Sequence, residues 1–219
     1  MRVTEIFHSL QGEGTRAGRP CAFVRFTGCD LRCGYCDTAY AFHGGRELSR
    51  EEILAELARW PTRLVLLTGG EPLLQRELPE LARDLVARGY EVTVETHGQR
   101  PTEALPPEVI RIVDVKTPGS GEAATDLAYL DALRPHDEVK FVVTGEEDFR
   151  WSVDVARRHR LEGRVELLFS PVWDRVRPAE LARWLLESGL NARLSLQVHK
   201  VISGSRRARR VAGPGEPRP

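Results

Sequence analysis

Several features that mark membrane, secreted or nucleic-acid-binding proteins are missing from this chain of 219 residues. No apolar run approaches the about 18 residues that a membrane-spanning helix needs, and the N-terminal residues do not have the pattern of a secretion signal. The 32 basic residues are balanced by 32 acidic residues, whereas proteins dedicated to nucleic acids or membrane surfaces usually carry a basic excess. We therefore expect a cytoplasmic protein that has neither a nucleic acid nor a membrane as its partner.

Cysteine is also scarce, with only four residues in the chain. Cys29, Cys33 and Cys36 have the spacing C-x3-C-x2-C and directly follow an apolar segment. Disulfides are typical of secreted proteins, and a structural zinc site usually has four ligands in two separated pairs. A single tight group of three cysteines fits neither pattern. We interpret Cys21, which lies inside the apolar segment, as a buried thiol.

The chemistry of this three-cysteine group points to an iron–sulfur cluster. A closed four-iron cluster normally takes four cysteine ligands. With three cysteines, one iron has no protein ligand and can bind a small molecule and reduce it. The spacing therefore predicts a redox-active [4Fe–4S] cluster that has one open coordination site.

Strand-like and helix-like patterns alternate along the chain. Runs rich in Val, Leu and Ile predict buried strands at 22–27, 63–67, 91–95, 110–115, 138–143, 165–169 and 193–198. Helices are predicted after a capping box at Ser49 and Glu52, and at 78–88, 126–133, 149–160 and 179–187. Repeated βα units imply a parallel sheet with right-handed crossovers.

The length of the chain limits how many such units it can contain. A complete eight-unit barrel takes about 250 residues, so this chain has room for about six units. We predict an α/β fold, an incomplete (β/α)6-type barrel with parallel strands, in a single domain over residues 1–219. An N-terminal segment (1–20) precedes the barrel and a C-terminal tail (203–219) follows it.

Polar residues follow five of the predicted strands, in the runs Thr68-Gly69-Gly70-Glu71, Glu95-Thr96-His97-Gly98, Asp114 with Lys116, Ser170-Pro171, and Gln197 with His199. Active sites of parallel α/β proteins lie at the carboxyl ends of the strands. Gln197 and His199 are two residues apart in the last predicted strand, so they should point to one face. We expect these side chains to meet in one site.

Each run also has a purely structural interpretation. The glycines 69 and 70 could only form a turn, and residues 95–97 could cap a helix. Lys116 could be an ion-paired strand end, and His199 could be a core histidine with its hydrogen bonds satisfied.

Two of these motifs together carry a family resemblance. The cysteine motif followed by Thr68-Gly69-Gly70-Glu71-Pro72 resembles the radical S-adenosylmethionine (SAM) enzymes, and Tyr35 stands where that family usually has an aromatic residue. The resemblance implies a [4Fe–4S] cluster on Cys29, Cys33 and Cys36 whose open iron binds SAM, which is then cleaved to a 5′-deoxyadenosyl radical. The SAM-binding residues that it implies are Tyr35, Cys36, Asp37, Gly70, Glu71, Lys116 and Ser120, with Glu71 receiving the ammonium group of SAM.

The N-terminal part narrows the resemblance to one family. The runs FHSLQGEG (7–14), GCDLRCGYCDT (28–38), ETHG (95–98), DVK (114–116) and LQVHK (196–200) resemble the 7-carboxy-7-deazaguanine synthases of queuosine biosynthesis. This resemblance implies a lyase that converts 6-carboxy-5,6,7,8-tetrahydropterin to 7-carboxy-7-deazaguanine. Hydrogen abstraction at C6 would precede ring contraction and loss of ammonia, and SAM would be regenerated.

The same resemblance implies the residues and partners of the site. The substrate-binding residues would be Leu10, Gln11, Gly12, Glu13, Arg25, Thr68, His199 and Pro219. Arg25 would clamp the substrate carboxylate through two hydrogen bonds, and Thr38 would bind Mg²⁺ together with substrate oxygens and water. His97 stands where the family more often has Asn. The expected partners are a pterin substrate, an electron donor such as flavodoxin or ferredoxin, and a second copy of the chain in a homodimer.

Other interpretations remain at this point. A protein that activates a glycyl-radical enzyme has the same cysteine spacing, but it needs a protein partner, consumes SAM and has no need for Gln11-Gly12-Glu13 or Arg25. A simple iron–sulfur electron carrier or a metal-stabilised binding protein has no use for Gly69-Gly70-Glu71. The Arg-rich tail could be a solvated end, or its terminal carboxylate at Pro219 could fold back to the substrate.

Overall fold

The computed structural model describes residues 1–203, with side chains to residue 202. Within this part of the chain, nine strands form one sheet in the order β3-β1-β2-β4-β5-β6-β7-β8-β9. The strands are β1 (Arg2–Leu10), β2 (Pro20–Phe26), β3 (Arg46–Glu47), β4 (Leu64–Gly69), β5 (Glu91–Thr96), β6 (Ile110–Val115), β7 (Glu138–Val143), β8 (Glu166–Pro171) and β9 (Arg193–Leu194). The helices are α1 (Arg50–Leu57), α2 (Leu78–Ala87), α3 (Glu146–Arg158), α4 (Pro178–Ser188) and α5 (Val198–Ser203).

The seven strands β2 and β4 to β9 are parallel, as the sequence predicts. All seven lie where strands are expected, and the predicted capping box of α1 is formed by Ser49 and Glu52. None of the helices in residues 1–203 is long and apolar enough to span a membrane.

The sheet also contains antiparallel strands, which corrects the prediction for the N-terminal segment. Residues 2–10 form β1, which pairs antiparallel with both β2 and β3. Two consecutive strands joined by a short connection can pair only in this way. The connection here includes a 3₁₀ turn at Gly14–Arg16. The first half of the predicted substrate-binding segment is therefore part of the sheet, and the turn after Leu10 is its irregular part.

Alternate residues along each strand point to the two faces of the curved sheet. In β4, Val65 and Leu67 pack with α1 and α2 on the outer face. Leu64 and Leu66 pack on the inner face with Cys21, which is fully buried. Burial raises the pKa of Cys21 to about 12, so this residue is the buried thiol that the sequence predicts.

The helix predicted at 126–133 is replaced by a short 3₁₀ helix, Ala128–Ala132. The buried Leu130 of this helix and the buried residues that flank it, Leu127 and Leu133, are three apart, which matches the three residues per turn of a 3₁₀ helix. The Asp126 carboxylate also accepts a hydrogen bond from the N–H of Ala128 at 2.8 Å, and such local bonds favour turns over α-helix.

The strand predicted at 193–198 ends early, at Leu194. Ser195 N donates to Phe169 O, but Val198 N donates to Gly12 O at 2.9 Å and so leaves the sheet. Lys200 N and Val201 N then donate to Gln197 O, which starts α5. Gln197 and His199 are therefore not side by side on a strand face, as was expected, but lie at the start of a helix.

Candidate active site

The carboxyl ends of the parallel strands surround one cavity of about 770 Å³. Fifteen of the predicted site residues line this cavity, namely Leu10, Gln11, Gly12, Glu13, Arg25, Cys29, Cys33, Tyr35, Cys36, Asp37, Thr38, Thr68, Gly70, Lys116 and His199. They come from both ends of the chain and from most of the strands between. The predicted convergence of polar strand ends is therefore present, while the role of each residue stays a prediction. Pro219 and the Arg-rich tail lie outside the described residues.

The three cysteines of the motif are free, half-buried and all face this cavity. Their loop follows β2 and is held by Gly28 N donating to Ala41 O and by Gly34 N donating to Ser120 O at 2.9 Å. Burial raises the pKa of all three thiols, that of Cys33 to about 11. Three free thiols on one wall of a cavity fit a [4Fe–4S] cluster with three protein ligands. Binding such a cluster would remove the thiol protons.

A buried histidine fastens the cysteine loop to the end of β5. His97 Nε2 lies 3.0 Å from Asp30 Oδ1, and His97 Nδ1 accepts a hydrogen bond from Gln99 N at 3.1 Å. Since Nδ1 is an acceptor, Nε2 carries the proton that the Asp30 carboxylate accepts. Arg100 also donates to Asp30, at 2.7 and 2.9 Å. Through its contact with Asp30, His97 therefore holds the cysteine loop in position.

The structure contradicts the expectation that Glu71 receives the ammonium group of SAM. Glu71 is fully buried and does not line the cavity. Its carboxylate accepts hydrogen bonds from Leu73 N, Thr96 Oγ1 and His97 N at 2.8 to 3.0 Å. The side chain therefore caps the 3₁₀ helix Pro72–Leu74 and ties β4 to β5, and its acceptors are occupied by the protein itself.

Ser120 is the other predicted SAM-binding residue that does not line the cavity. Its side chain also faces the protein interior. It is buried, and its hydroxyl donates to Thr117 O at 2.6 Å and accepts from Glu122 N at 3.0 Å. Its carbonyl accepts the N–H of Gly34 in the cysteine loop. Ser120 thus supports the loop, and its predicted role in holding SAM stays a prediction.

Gly70 lines the cavity, but the structure gives an additional reason for a glycine there. A Cβ on Gly70 would overlap the Gly28 carbonyl and lie 2.8 Å from Cys29 Cβ. Glu71 N donates to this same carbonyl at 2.7 Å. The lack of a side chain therefore allows the end of β4 to touch the start of the cysteine loop.

The cavity is also lined by an ion-pair cluster centred on Lys140 of β7. Its ammonium contacts Glu13, Glu95 and Asp114. Although burial opposes ionisation, these carboxylates raise the pKa of Lys140, and Lys140 in turn lowers the pKa of Glu13. Lys140 and Glu13 therefore favour their charged forms at neutral pH. Sequence reasoning missed Lys140, although a lysine within an apolar strand pattern was a signal that could have found it.

Arg25 of β2 has partners that fix its orientation. Its Nε donates to Glu5 Oε1 at 2.9 Å, and Tyr40 donates its hydroxyl to the same oxygen at 2.6 Å. The guanidinium carbon also lies 6.0 Å from the centre of the Phe7 ring and 5.8 Å from that of Tyr40. Arg25 is thus held rigidly at the cavity wall.

The last described helix, α5, crosses between the N-terminal turn and the cysteine loop. Gln197 donates to Glu13 Oε1 at 2.9 Å, and Lys200 donates to Asp37 Oδ2 at 2.5 Å. The His199 ring packs on Gly12, where a Cβ would overlap it. Burial lowers the pKa of His199, so its imidazole is neutral at neutral pH. The helix thus brings two predicted substrate-binding residues, Gly12 and His199, into direct contact.

Comparison with known proteins places this geometry in context. Residues 23–160 match the Radical SAM superfamily. The chain is 47% identical to a 7-carboxy-7-deazaguanine synthase from Koribacter versatilis, over 92% of this chain and 96% of the relative. It is 39% identical to a 7-carboxy-7-deazaguanine synthase from Methanospirillum hungatei, over 92% of this chain and 85% of the relative.

Two solved structures have the same fold. QueE from Escherichia coli superposes with a TM-score of 0.73 at 24% identity, over 90% of this chain and 94% of QueE. SuiB from Streptococcus suis, bound to S-adenosylmethionine, superposes with a TM-score of 0.55 at 14% identity, over 74% of this chain and 41% of SuiB. The predicted incomplete barrel of parallel strands is thereby confirmed.

Proposed function

We propose a reaction and a set of residue roles for this cavity, on the basis that the chain belongs to the radical SAM superfamily and, within it, to the 7-carboxy-7-deazaguanine synthases. The reaction is the conversion of 6-carboxy-5,6,7,8-tetrahydropterin to 7-carboxy-7-deazaguanine with loss of ammonia, for queuosine biosynthesis. The alternative of a glycyl-radical-activating protein is not favoured, because the similarity to the synthases covers 92% of the chain.

One observation carries the proposal. A single cavity brings the three half-buried thiols together with the turn at Gln11, Gly12 and Glu13, which is the part of the sequence that an activating protein or an electron carrier does not need. Cys29, Cys33 and Cys36 would hold the cluster, which together with SAM would supply one-electron chemistry. The part of the cavity lined by Glu13, Glu95 and Arg25 would hold a planar polar ring.

The acidic residues around Lys140 suit a pterin. Its ring carries an amino group and ring N–H groups, which need acceptors, and ionised carboxylates are acceptors only. Glu13 and Glu95 line the cavity, and their side chains remain 21% and 25% exposed. Gln11 has a different role, because its Oε1 accepts the N–H of Gly12 at 2.9 Å and so shapes the turn that carries Glu13.

The carboxylate of the substrate needs a cation, and Arg25 is the candidate. A guanidinium that is held by Glu5 and by ring contacts loses little entropy on binding, and it can form two parallel hydrogen bonds with a carboxylate. Thr68 lies beside Glu95, to which it donates at 3.3 Å. With the neutral His199 it completes the polar lining on the substrate side.

Magnesium, the electron donor and the assembly belong to the same proposal. The Thr38 hydroxyl, which donates to Asp37 Oδ1 at 2.9 Å, would turn its oxygen to a Mg²⁺ ion that keeps several waters and takes substrate oxygens. Tyr35, Asp37, Gly70 and Lys116 would contact SAM. A small electron-transfer protein such as flavodoxin or ferredoxin would reduce the cluster. The enzyme would be a cytoplasmic homodimer, and light scattering would measure its mass.

Anaerobic turnover tests the proposal. The cluster is reconstituted, SAM, Mg²⁺, a strong reductant and carboxytetrahydropterin are added, and product and SAM are followed by mass spectrometry. We expect 7-carboxy-7-deazaguanine in excess of the SAM lost, with little 5′-deoxyadenosine. Formation of 5′-deoxyadenosine without the deazapurine would retain the radical chemistry but reject the substrate. Omitting Mg²⁺, and comparing Thr38→Ala with the wild type, tests the metal ligand.

A further inference from the structure

Lys140 is a deeply buried cation in the wall of the active-site cavity, with 6% of its side chain exposed, as for Lys200. Its three partners come from three separate places in the chain. Glu13 lies in the turn after β1, Glu95 at the end of β5 and Asp114 at the end of β6. The N–O distances to Glu13 and Asp114 are 3.0 and 3.5 Å.

Such an arrangement needs an explanation, because a buried charge is costly unless it is fully paired. An ammonium group has three donors, and here three carboxylates face it. In β7 the neighbours of Lys140 in sequence, Val139 and Phe141, point to the outer apolar core. If position 140 only had to stabilise the strand, an apolar residue would be sufficient, since well-packed apolar residues often replace buried ion pairs without loss of stability.

The three carboxylates do not depend on Lys140 equally. Asp114 has a second cation, Lys116, at 2.9 Å. Glu13 has Gln197 as a further hydrogen-bond donor, and Glu95 has Thr68, but neither of these donors carries a charge. The imidazole of His199 near Glu13 is neutral. Loss of Lys140 would therefore leave Glu13 and Glu95 without a cation, and Asp114 would keep one.

We propose that Lys140 is a positioning residue of the substrate site, which holds the carboxylates of Glu13 and Glu95 in place as acceptors for the N–H groups of the pterin ring. This inference rests on the proposed function. Because a protonated carboxyl group is a donor on one oxygen, it would meet the N–H groups of the ring with the wrong polarity. Lys140 itself need not touch the substrate, since all three of its donors face carboxylates.

The test measures binding without turnover. Wild-type and Lys140→Met enzymes, each with reconstituted cluster and SAM but no reductant, are titrated anaerobically with carboxytetrahydropterin by calorimetry from about pH 5 to about pH 8. We expect the variant to bind about 10- to 100-fold more weakly at pH 7, which is the range for lost charge-assisted hydrogen bonds. Its affinity should also decline at a higher pH than that of the wild type, because Glu13 without Lys140 takes up a proton more readily.

Other charged groups near these carboxylates bear on the pH profile and are unchanged in the variant. They are Asp114 with Lys116, Asp37 with Lys200, and His199. A matched control is Arg111→Met, which removes a buried cation paired with Asp137 at the amino ends of the strands. It should lower the Tm by about 10 °C and leave the affinity and its pH profile unchanged.

The double variant Lys140→Met/Glu95→Gln covers the case that Lys140→Met does not fold. It removes one charge of each sign, so we expect its Tm to recover toward that of the wild type while its affinity stays low. Wild-type affinity in either Lys140 variant, with an unchanged pH profile, would overturn the inference. Failure of the wild-type enzyme to bind carboxytetrahydropterin would instead reject the proposed substrate, so the two failures are distinguishable.

Discussion

Gly70→Ala is the substitution whose effect the structure specifies best. The added Cβ would lie 2.6 Å from Gly28 C and 2.8 Å from Cys29 Cβ, whereas carbon atoms in favourable contact are about 3.5 to 4.0 Å apart. Gly70 does not have a positive φ, so the penalty is steric and not conformational. The end of β4 and the cysteine loop must move apart by about 1 Å.

The loop cannot yield easily, because Gly28 is anchored on both sides. Its N–H donates to Ala41 O at 2.8 Å and its carbonyl accepts from Glu71 N at 2.7 Å. Overpacking of this kind costs about 1 to 3 kcal/mol. For a chain of this size, that corresponds to a fall in Tm of about 2 to 10 °C, and the displaced Cys29 should bind its iron less firmly.

The assay compares thermal unfolding of the cluster-free protein with the iron and sulfide content per chain after anaerobic reconstitution. Gly145→Ala is the control, since nothing lies within 4 Å of its Cβ position and its φ of 177° is ordinary extended backbone. We expect the control to change stability by less than about 1 kcal/mol and to bind iron normally. Wild-type Tm and full iron content in Gly70→Ala would refute the steric argument.

Three further predictions follow from contacts around the cavity. Lys200→Met removes the ion pair with Asp37, which is 46% exposed, so we expect a loss of only about 1 kcal/mol but weaker substrate binding, measured by denaturant unfolding and calorimetry. His97→Ala leaves Asp30 without its buried donor and should cost about 1 to 3 kcal/mol and speed proteolysis in the cysteine loop. For Asp148, burial alone would raise the pKa, but hydrogen bonds from neighbouring residues lower it. The wild type should therefore exceed Asp148→Asn in stability at neutral pH, and acid unfolding should show this excess shrinking once the pH falls below about 4.

Each of these predictions has an outcome that contradicts it. Unchanged substrate affinity in Lys200→Met would show that α5 does not help to form the site. An unaltered proteolysis pattern in His97→Ala would mean that the loop is held by other contacts. For Asp148→Asn, a stability difference that persists undiminished at the lowest pH would show that ionisation of the carboxylate is not its cause.

Much of the fold was predictable because its signals are local. A buried parallel strand needs a short apolar run, and all seven such runs became strands of the sheet. The strand β1 was missed because polar residues are interspersed among its apolar residues Val3, Ile6 and Phe7, so it has no long apolar run. Such a mixture is tolerated because β1 is only the second strand from the edge of the sheet. The end of β9 was misplaced because its course depends on a hydrogen bond from Val198 to Gly12, almost the whole chain away.

The residues of the site also divide into those that the sequence predicts correctly and those whose orientation only the fold reveals. Residues with a chemical signature in the sequence, such as Cys29, Cys33 and Cys36, do line the cavity. Glu71 carries an equally strong motif signature, but it faces inward because Thr96 and His97 occupy its oxygens. A motif specifies which residue types stand close together in the chain, and it does not specify which way a side chain points when a partner from another strand competes for it.

The sequence by itself determined the chemistry that this protein can attempt, because three thiols in eight residues and polar strand ends are set by covalent spacing and strand periodicity. Only the tertiary structure decided how the charges of the site are organised. The sequence shows Lys140 only as a lysine in an apolar strand, and its partners appear when β7 carries it to Glu13, 127 residues away in the chain, and to Glu95. Long-range ion pairs have no sequence period, so folding alone brings them together.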